Sequence, residues 1–203
     1  MTLKSDPQQQ MATFSSNLRR KIKSSLRKGV EVTHGGIELL NDFMPLYRQN
    51  LHRLGSPALG KDFFQHLLQA CTPEEATLAI AYHHGQPIGG GLWLSYHGFC
   101  ENTHFATHPK HNHLYTTYAL HWTIIQHTIQ KQNHTYSFGR STPGSTVEHY
   151  KTQWPVQTHP LYHNSTHPIK NTLTHHTWLT KLWKHLPTTL VNTLSPPIAK
   201  RIY

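Results

Sequence analysis

The sequence predicts a single domain of the α/β (α+β) class, and three observations predict it. Apolar residues recur at helical spacing in four segments, near 18–28, 38–54, 61–71 and 113–131. Between the third and fourth of these, residues 77–107 switch to short apolar runs separated by the turns His84-Gly85-Gln86-Pro87 and His97-Gly98. Tyr136 and Phe138 then lead into Gly139-Arg140-Ser141-Thr142-Pro143-Gly144-Ser145, a strand that ends in a hydroxyl-rich turn. A chain of 203 residues can bury one respectable core.

Taken in order, Met1 to Ser16 is polar and reads as a disordered leader or linker. Ser16 or Asn17 can cap a helix from Leu18 to Lys28, with Leu18, Ile22 and Leu26 forming a narrow stripe and Gly29 ending it. Val30 and Val32 alternate with polar residues as a strand does, and His34-Gly35-Gly36 is a turn. The next helix, Glu38 to Leu54, carries Leu39, Phe43, Leu46, Tyr47 and Leu51 on one side; Pro45 marks a kink and Gly55-Ser56-Pro57 a stop. A helix from Lys61 to Cys71 turns Phe63, Phe64, Leu67 and Leu68 inward.

Thr77–Tyr82 and Ile88–Tyr96 read as a hairpin, with Phe99–Thr107 as the following strand. Gly89-Gly90-Gly91 inside a strand predicts a bulge or a close approach by another group. The longest helix is expected from His113 to Lys131, with Leu114, Tyr118, Trp122, Ile125 and Ile129 facing inward. Its N-terminus offers unpaired N–H groups to an anion. After the strand at Tyr136–Phe138 come a short helix (Ser145–Gln153), a final strand (Val156–Tyr162) and a loop (Asn164–Lys170). Trp178, Leu179, Leu182, Trp183 and Leu186 make an amphipathic helix, and Leu190–Ile202 a last short one, suited to docking on the sheet or resting on a membrane surface.

Lys and Arg number 19 against 9 acids, a formal charge of +10. Arg19, Arg20, Lys21, Lys23, Arg27 and Lys28 crowd the first helix, which suits RNA, anionic lipid, a phosphorylated substrate, or plain solvation as an inter-domain helix. Cys71 and Cys100 make neither a disulfide framework nor a metal spacing and suit a reducing compartment. Without an apolar segment of signal-peptide or membrane-spanning length, the expectation is a cytoplasmic protein, working at most at the inner face of the membrane. The 20 histidines include the pairs His83-His84, His111 with His113, and His175-His176, but they spread along the whole chain, so no metal site is assigned.

The run Phe138–Ser145 followed by Tyr150-Lys151-Thr152-Gln153-Trp154 resembles the signature of FemAB-type acyltransferases, in particular those associated with exosortase/PEP-CTERM and exopolysaccharide systems. Further matching pieces are Asn17–Ile22, Gly29–Val32, Phe43–Tyr47, Leu54–Pro57 and the tail Trp183–Pro187 with Leu190 and Pro196-Pro197. The resemblance implies the GNAT-like fold, a mixed, mostly antiparallel twisted sheet flanked by helices. It divides the chain into a leader (1–16), a GNAT-like domain (17–170) and a helical tail packed on it (171–203). Such proteins usually carry two tandem domains, so a separate chain supplying an N-terminal GNAT-like domain is an expected partner.

By that resemblance, Lys151 stabilises developing negative charge or binds donor phosphate, and Arg140 grips an anionic group through its fork. Ser141, Thr142, Gly144, Ser145, Tyr150, Trp154 and Asn112 contact substrate. From the residues alone, Arg140 can equally pair with Glu101 or Glu148, and Lys151 can face solvent. No permanently bound cofactor is expected; the acyl donor is a co-substrate, aminoacyl-tRNA or acyl-CoA. The loop Lys110-His111-Asn112-His113 lacks the glycines with which GNAT enzymes hold coenzyme pyrophosphate, which argues against ordinary acetyl-CoA. The implied activity is acyl or aminoacyl transfer to a cell-envelope or exopolysaccharide precursor, with an anionic substrate or tRNA and a peripheral membrane contact as partners. The alternative is a non-catalytic basic module for RNA, anionic lipid or a partner protein.

Overall fold

A computed structural model describes residues 1–162, 164, 166 and 177–202. Its five strands are β1 (Glu31–Gly35), β2 (Ala76–His83), β3 (Gln86–Tyr96), β4 (Phe99–Thr107) and β5 (Thr135–Ser137), and they lie in the sheet in chain order. The first three junctions are antiparallel; β4 and β5 are parallel and share only three registered pairs, Phe99 with Thr135, Cys100 with Tyr136 and Glu101 with Ser137. The helices are α1 (Pro7–Ala12), α2 (Ser16–Arg27), α3 (Leu40–Leu54), α4 (Lys61–Ala70), α5 (Thr116–Gln130), α6 (Thr146–Lys151), α7 (Thr177–His185) and α8 (Thr188–Ile202).

Alternation along β2 splits the core into two layers. Leu78 and Ile80 pack with Leu40, Phe43, Tyr47 and Phe64 of α3 and α4. Ala79 and Ala81 face the other way, toward Leu18 and Ile22 of α2 and Leu120 and Ile125 of α5. The glycine triplet of β3 serves both layers. A Cβ on Gly90 would come within 3.3 Å of Phe43, on Gly89 within 3.0 Å of Thr116, and on Gly91 within 2.7 Å of the Trp93 ring. The close approach expected at these glycines is thus made by the protein's own helices and indole. Bulges are present too: the β2–β3 register skips Ile88 and the β3–β4 register skips Thr103.

Several expectations are corrected. The segment 1–16, read as disordered, is ordered. Asp6 caps α1 through the Gln8 and Gln9 amides, Leu3 and Phe14 are buried, and Met1 and Leu3 donate to the Tyr136 and His134 carbonyls beside β5. Its polar composition hid this because the order comes from capping and from a strand at the far end of the sequence. Helix α2 begins at Ser16, two residues before the expected Leu18, with Ser15 as its cap, and Leu26 is 51% exposed, so its apolar stripe is two residues deep. Phe63 lies outward, 43% exposed, because its neighbour Phe64 takes the inward position on α4.

Helix α5 starts at Thr116 rather than His113: Tyr115 adopts φ 57° and separates it from a 3-10 turn at Pro109–Leu114. At 15 residues it is matched in length by α3 and α8. The strand expected at Val156–Tyr162 is absent; Pro155 and Pro160 remove ladder donors there, and Leu161 and Tyr162 are exposed. Most of the loop expected at Asn164–Lys170, and the pair His175-His176, lie outside the described residues. Helix α8 buries Val191, Ser195 and Ala199 at helical spacing, and the Trp183 carbonyl of α7 meets His52 of α3 at 3.0 Å.

Candidate active site

The parallel pair β4–β5 is the place where the sheet opens. Pairing stops at Glu101 and Ser137, the bulge at Thr103 follows, and residues 102–107 of β4 continue without β5 beside them. A wedge forms between the two strands. His121 of α5 spans it on the α2–α5 face, with its ring 4.8 Å from Phe105 of β4 and 4.7 Å from Phe138 just beyond β5. Tyr118, Tyr150 and Trp154 complete the lining, with Trp154 5.2 Å from Phe138 and Tyr150 5.2 Å from Tyr118.

A buried hydrogen-bond chain fixes the floor of the wedge. The Trp93 indole N–H donates to the Tyr136 hydroxyl at 2.6 Å, and that hydroxyl lies 2.7 Å from His121 Nδ1. The arrangement that uses every donor has Tyr136 donating to an unprotonated Nδ1. Burial first, and the Lys151 charge second, push the imidazole down to about 3, so it is neutral. On the opposite face of the bulge His104 packs against Tyr47 and Phe64, and burial lowers it to about 4.

Two polar atoms lining the wedge are buried without a hydrogen bond of good geometry, the Tyr150 hydroxyl and the Trp154 indole N–H. They are near one another, and the indole is directed so as to interact with the phenol oxygen. Even where the indole N–H donates to that oxygen, the phenolic proton stays unused. Burial holds the Tyr150 phenol well above its ordinary value, so it is a neutral O–H donor.

The turn after β5 is braced rather than open. Gly139, at φ 68°, brings the chain so close to β4 that a Cβ would sit 2.8 Å from the Asn102 carbonyl. Its N–H donates to Ser137 Oγ, which in turn donates to Glu101. The Lys151 ammonium donates to the carbonyls of Gly139 and Arg140 at 2.9 and 2.6 Å, and burial lowers its pKa. Ser145 caps α6 by accepting from the Glu148 N–H, while the Glu148 carboxylate accepts from the Gly144 N–H at 2.6 Å.

Neither Glu101 nor Glu148 therefore pairs with Arg140; among the described residues the one ion pair is Lys131 with Glu74, and the Arg140 side chain is exposed. Ser141 and Thr142 are exposed on the same turn. The structure thus brings Arg140, Lys151, Tyr150 and Trp154 around one corner of the wedge and leaves Asn112 apart, at the head of α5.

That head is built from its own bonds. The Lys110 N–H donates to His108 Nδ1, the His111 N–H to the His108 carbonyl and the Tyr115 N–H to the Asn112 carbonyl. Helix α2 packs alongside, with Lys21 and, just past its end, Lys28 engaged. Lys21 reaches Gln153 Oε1 at 2.7 Å and Tyr118 Oη at 3.0 Å, and Lys28 reaches the His113 carbonyl at 2.6 Å. His83, His84, His108, His111 and His113 cluster at this corner, but among the described residues no group of three or more His, Cys, Asp or Glu is arranged to hold a metal.

Sequence reasoning named Tyr136 only as a strand residue and did not single out His121 or Trp93. A signal for His121 was present: Tyr118, His121 and Ile125 follow helical spacing, so His121 continues the inward stripe of α5.

The sequence matches the family described as Acetyltransferase (GNAT) domain over residues 12–152. No curated protein matches it. Among solved structures it is similar to a crystal structure of FemX, with a TM-score of 0.64 and 12% identity over 73% of this chain and 55% of that one. It is also similar to the ribosomal-protein-alanine N-acetyltransferase from Brucella melitensis biovar Abortus 2308 (TM-score 0.54, 14% identity, 67% and 97% covered). A third is AAC(6')-Iy in complex with a bisubstrate analog, CoA-S-monomethyl-acetylneamine (TM-score 0.51, 13% identity, 68% and 98% covered). At these identities the likeness is one of fold, and the chain spans about half the length of FemX.

Proposed function

The chain belongs to the acetyltransferase (GNAT) domain family and has its fold, and from that premise we propose that it is an acyl- or aminoacyltransferase working at the wedge between β4 and β5. The observation that carries this reading is the Tyr150 hydroxyl, buried beside the wedge with a proton that no described residue accepts. Acyl transfer to an amine forms a C–N bond and breaks the C–O or C–S bond to the leaving group. The amine gives its proton to water, and the carbonyl oxygen passes through an oxyanion. A neutral, desolvated O–H supplies a hydrogen bond to that charge or a proton to the departing oxygen or sulfur. In this reading the exposed Arg140 fork holds an anionic group of the substrate, with Ser141 and Thr142 beside it. Lys151 keeps the Gly139–Arg140 backbone in place and adds positive charge.

Within the family we favour a FemAB-type enzyme with an aminoacyl donor, acting on a cell-envelope or exopolysaccharide precursor, with a second GNAT-like domain on a separate chain as partner. Support for the donor comes from the head of α5, where the loop has no glycine and the N–H groups of Lys110, His111 and Tyr115 already have acceptors. Among the described residues no helix is long and apolar enough to cross a membrane. A basic binding module centred on α2 is less well supported, because Lys21 and Lys28 are engaged on the protein's own oxygens.

The test is an acyl-transfer assay offering labelled aminoacyl-tRNA and labelled acetyl-CoA in parallel to amine acceptors. Transfer from the aminoacyl donor, lost in Arg140→Ala and Lys151→Ala with unchanged circular dichroism, is the expected result. Normal turnover by both variants would remove this assignment of the site.

A further inference from the structure

The buried chain of Trp93, Tyr136 and His121 does more than brace the floor of the wedge, because it decides which imidazole nitrogen carries the proton. The Trp93 indole can only donate, and it donates to the Tyr136 oxygen at 2.6 Å; the other polar neighbour of that oxygen is His121 Nδ1 at 2.7 Å. Were the proton on Nδ1, the Tyr136 oxygen would accept twice and strand its own proton inside a residue that is fully buried. With Nδ1 as acceptor, the single proton of the neutral ring sits on Nε2. The two ring nitrogens point in nearly opposite directions, so a ring anchored to the floor through Nδ1 directs Nε2–H into the opening between β4 and β5. The side chain is only 3% exposed, yet Nε2–H has no hydrogen-bond acceptor among the described residues. We infer that His121 Nε2–H is the donor that holds the acyl carbonyl oxygen in the wedge and meets the negative charge formed on it. This deepens the transferase reading of the wedge and rests on it for its role in the reaction.

The same geometry excludes His121 as the base. An Nε2 that already carries the proton has no lone pair to take one from the amine, and burial keeps the ring from gaining a second proton. Its donor is also held in aim. Phe105 stacks on the ring from the β4 side, 4.8 Å away with the planes 13° apart, and Phe138 closes on it from the β5 side at 4.7 Å. When the amine nitrogen attacks, the C–N bond forms as the carbonyl π pair moves onto oxygen, and Nε2–H hydrogen-bonds to that oxygen without giving up its proton. The pair then returns as the C–O or C–S bond to the leaving group breaks. The departing atom takes the Tyr150 phenolic proton, and the proton released by the amine restores the phenol through water. Two neutral donors thus divide the work, His121 at the carbonyl oxygen and Tyr150 at the leaving atom.

Histidine side-chain nitrogen NMR on the whole chain reads the tautomer without any turnover. One imidazole, absent from the spectrum of His121→Phe, is expected to carry its proton on Nε2 and to have a bare Nδ1. Its Nε2–H signal should move on adding an amide-linked analogue of alanyl-adenosine or the dethia analogue of acetyl-CoA. A proton on Nδ1, or a signal that neither analogue moves, would overturn the assignment. In the acyl-transfer assay His121→Phe, which keeps a ring in place, should lower kcat about 100-fold with KM little changed. His121→Gln, whose side-chain amide presents an N–H where Nε2 stood, should recover about tenfold of that loss. Normal turnover by His121→Phe, or equal losses in two variants that both fold, would count against the donor; where the variants do not fold, the spectra of the unaltered chain decide. If those spectra come out as expected while the unaltered chain transfers from neither donor, the Nε2–H donor stands and the transferase reading falls. Turnover with the proton on Nδ1 would do the reverse.

Discussion

The two faces of the sheet treat their cations differently. On the α2–α5 face, Lys21, Lys28 and Lys151 each end on a carbonyl or carboxamide oxygen of the protein. On the α3 face, Arg48 meets no hydrogen-bond or ion-pair partner among the described residues and lines a groove whose described lining has no carboxylate. The first face is the more basic in sequence, yet its central lysines act as struts: Lys21 ties α2 to α5 and to Gln153, Lys28 reaches the His113 carbonyl, and Lys151 ties α6 to the turn after β5. Density of charge is therefore a poor guide to which cations are left without a partner.

Each face also buries one neutral histidine, and acid separates them with the largest effect. The pKa of His121 is held down to about 3 and that of His104 to about 4, both below the ordinary 6.5. The unfolded chain binds more protons than the folded one below pH 6.5, so stability is complete above that value and is lost as pH falls. The loss runs down to about 4 for His104 and to about 3 for His121. Urea denaturation between pH 7 and pH 4 should show a steep fall that His121→Phe, which keeps the stacking, makes shallower. An unchanged slope in that variant would mean the imidazole is not held neutral by the fold.

Next in size is Tyr150→Phe, expected to lower turnover about 100-fold in the acyl-transfer assay while leaving the denaturation midpoint little changed, since the phenolic proton it removes meets no acceptor among the described residues. Tyr136→Phe is the structural counterpart. It strands the Trp93 indole N–H and His121 Nδ1, costing about 1–3 kcal/mol in equilibrium unfolding. The smallest effect sharpens the comparison directly. Lys21→Met should cost about 1 kcal/mol by freeing Gln153 and Tyr118, whereas Arg48→Met should cost nothing measurable. Equal losses would show that Arg48 is a strut as well.

Much of the fold was legible because its signals are local. The two turns at His84-Gly85 and His97-Gly98, the Gly29 and Gly55 helix stops and the stripe of α5 all follow from neighbours in sequence. What escaped was set by distant partners. Order in residues 1–16 depends on β5, more than a hundred residues away, and Glu148, which the residues alone allow to pair with Arg140, instead accepts from the Gly144 N–H at the start of α6. The motif at Phe138–Trp154 did mark one wall of the wedge. On the opposite wall His121 follows the helical spacing of α5, but its stacking on Phe105 was illegible because it depends on where β4 leaves β5, a tertiary event with no signature in either strand.

The return of residues 1–3 to β5 has a consequence for how this molecule behaves in a crowd. The Met1 and Leu3 nitrogens and the bridge between Thr2 and Thr135 occupy the outer rim of the last strand, which would otherwise present bare rungs to any passing chain. Removing residues 1–3 would bare that rim, and self-association of the shortened protein, measured by light scattering, is the symptom to watch for.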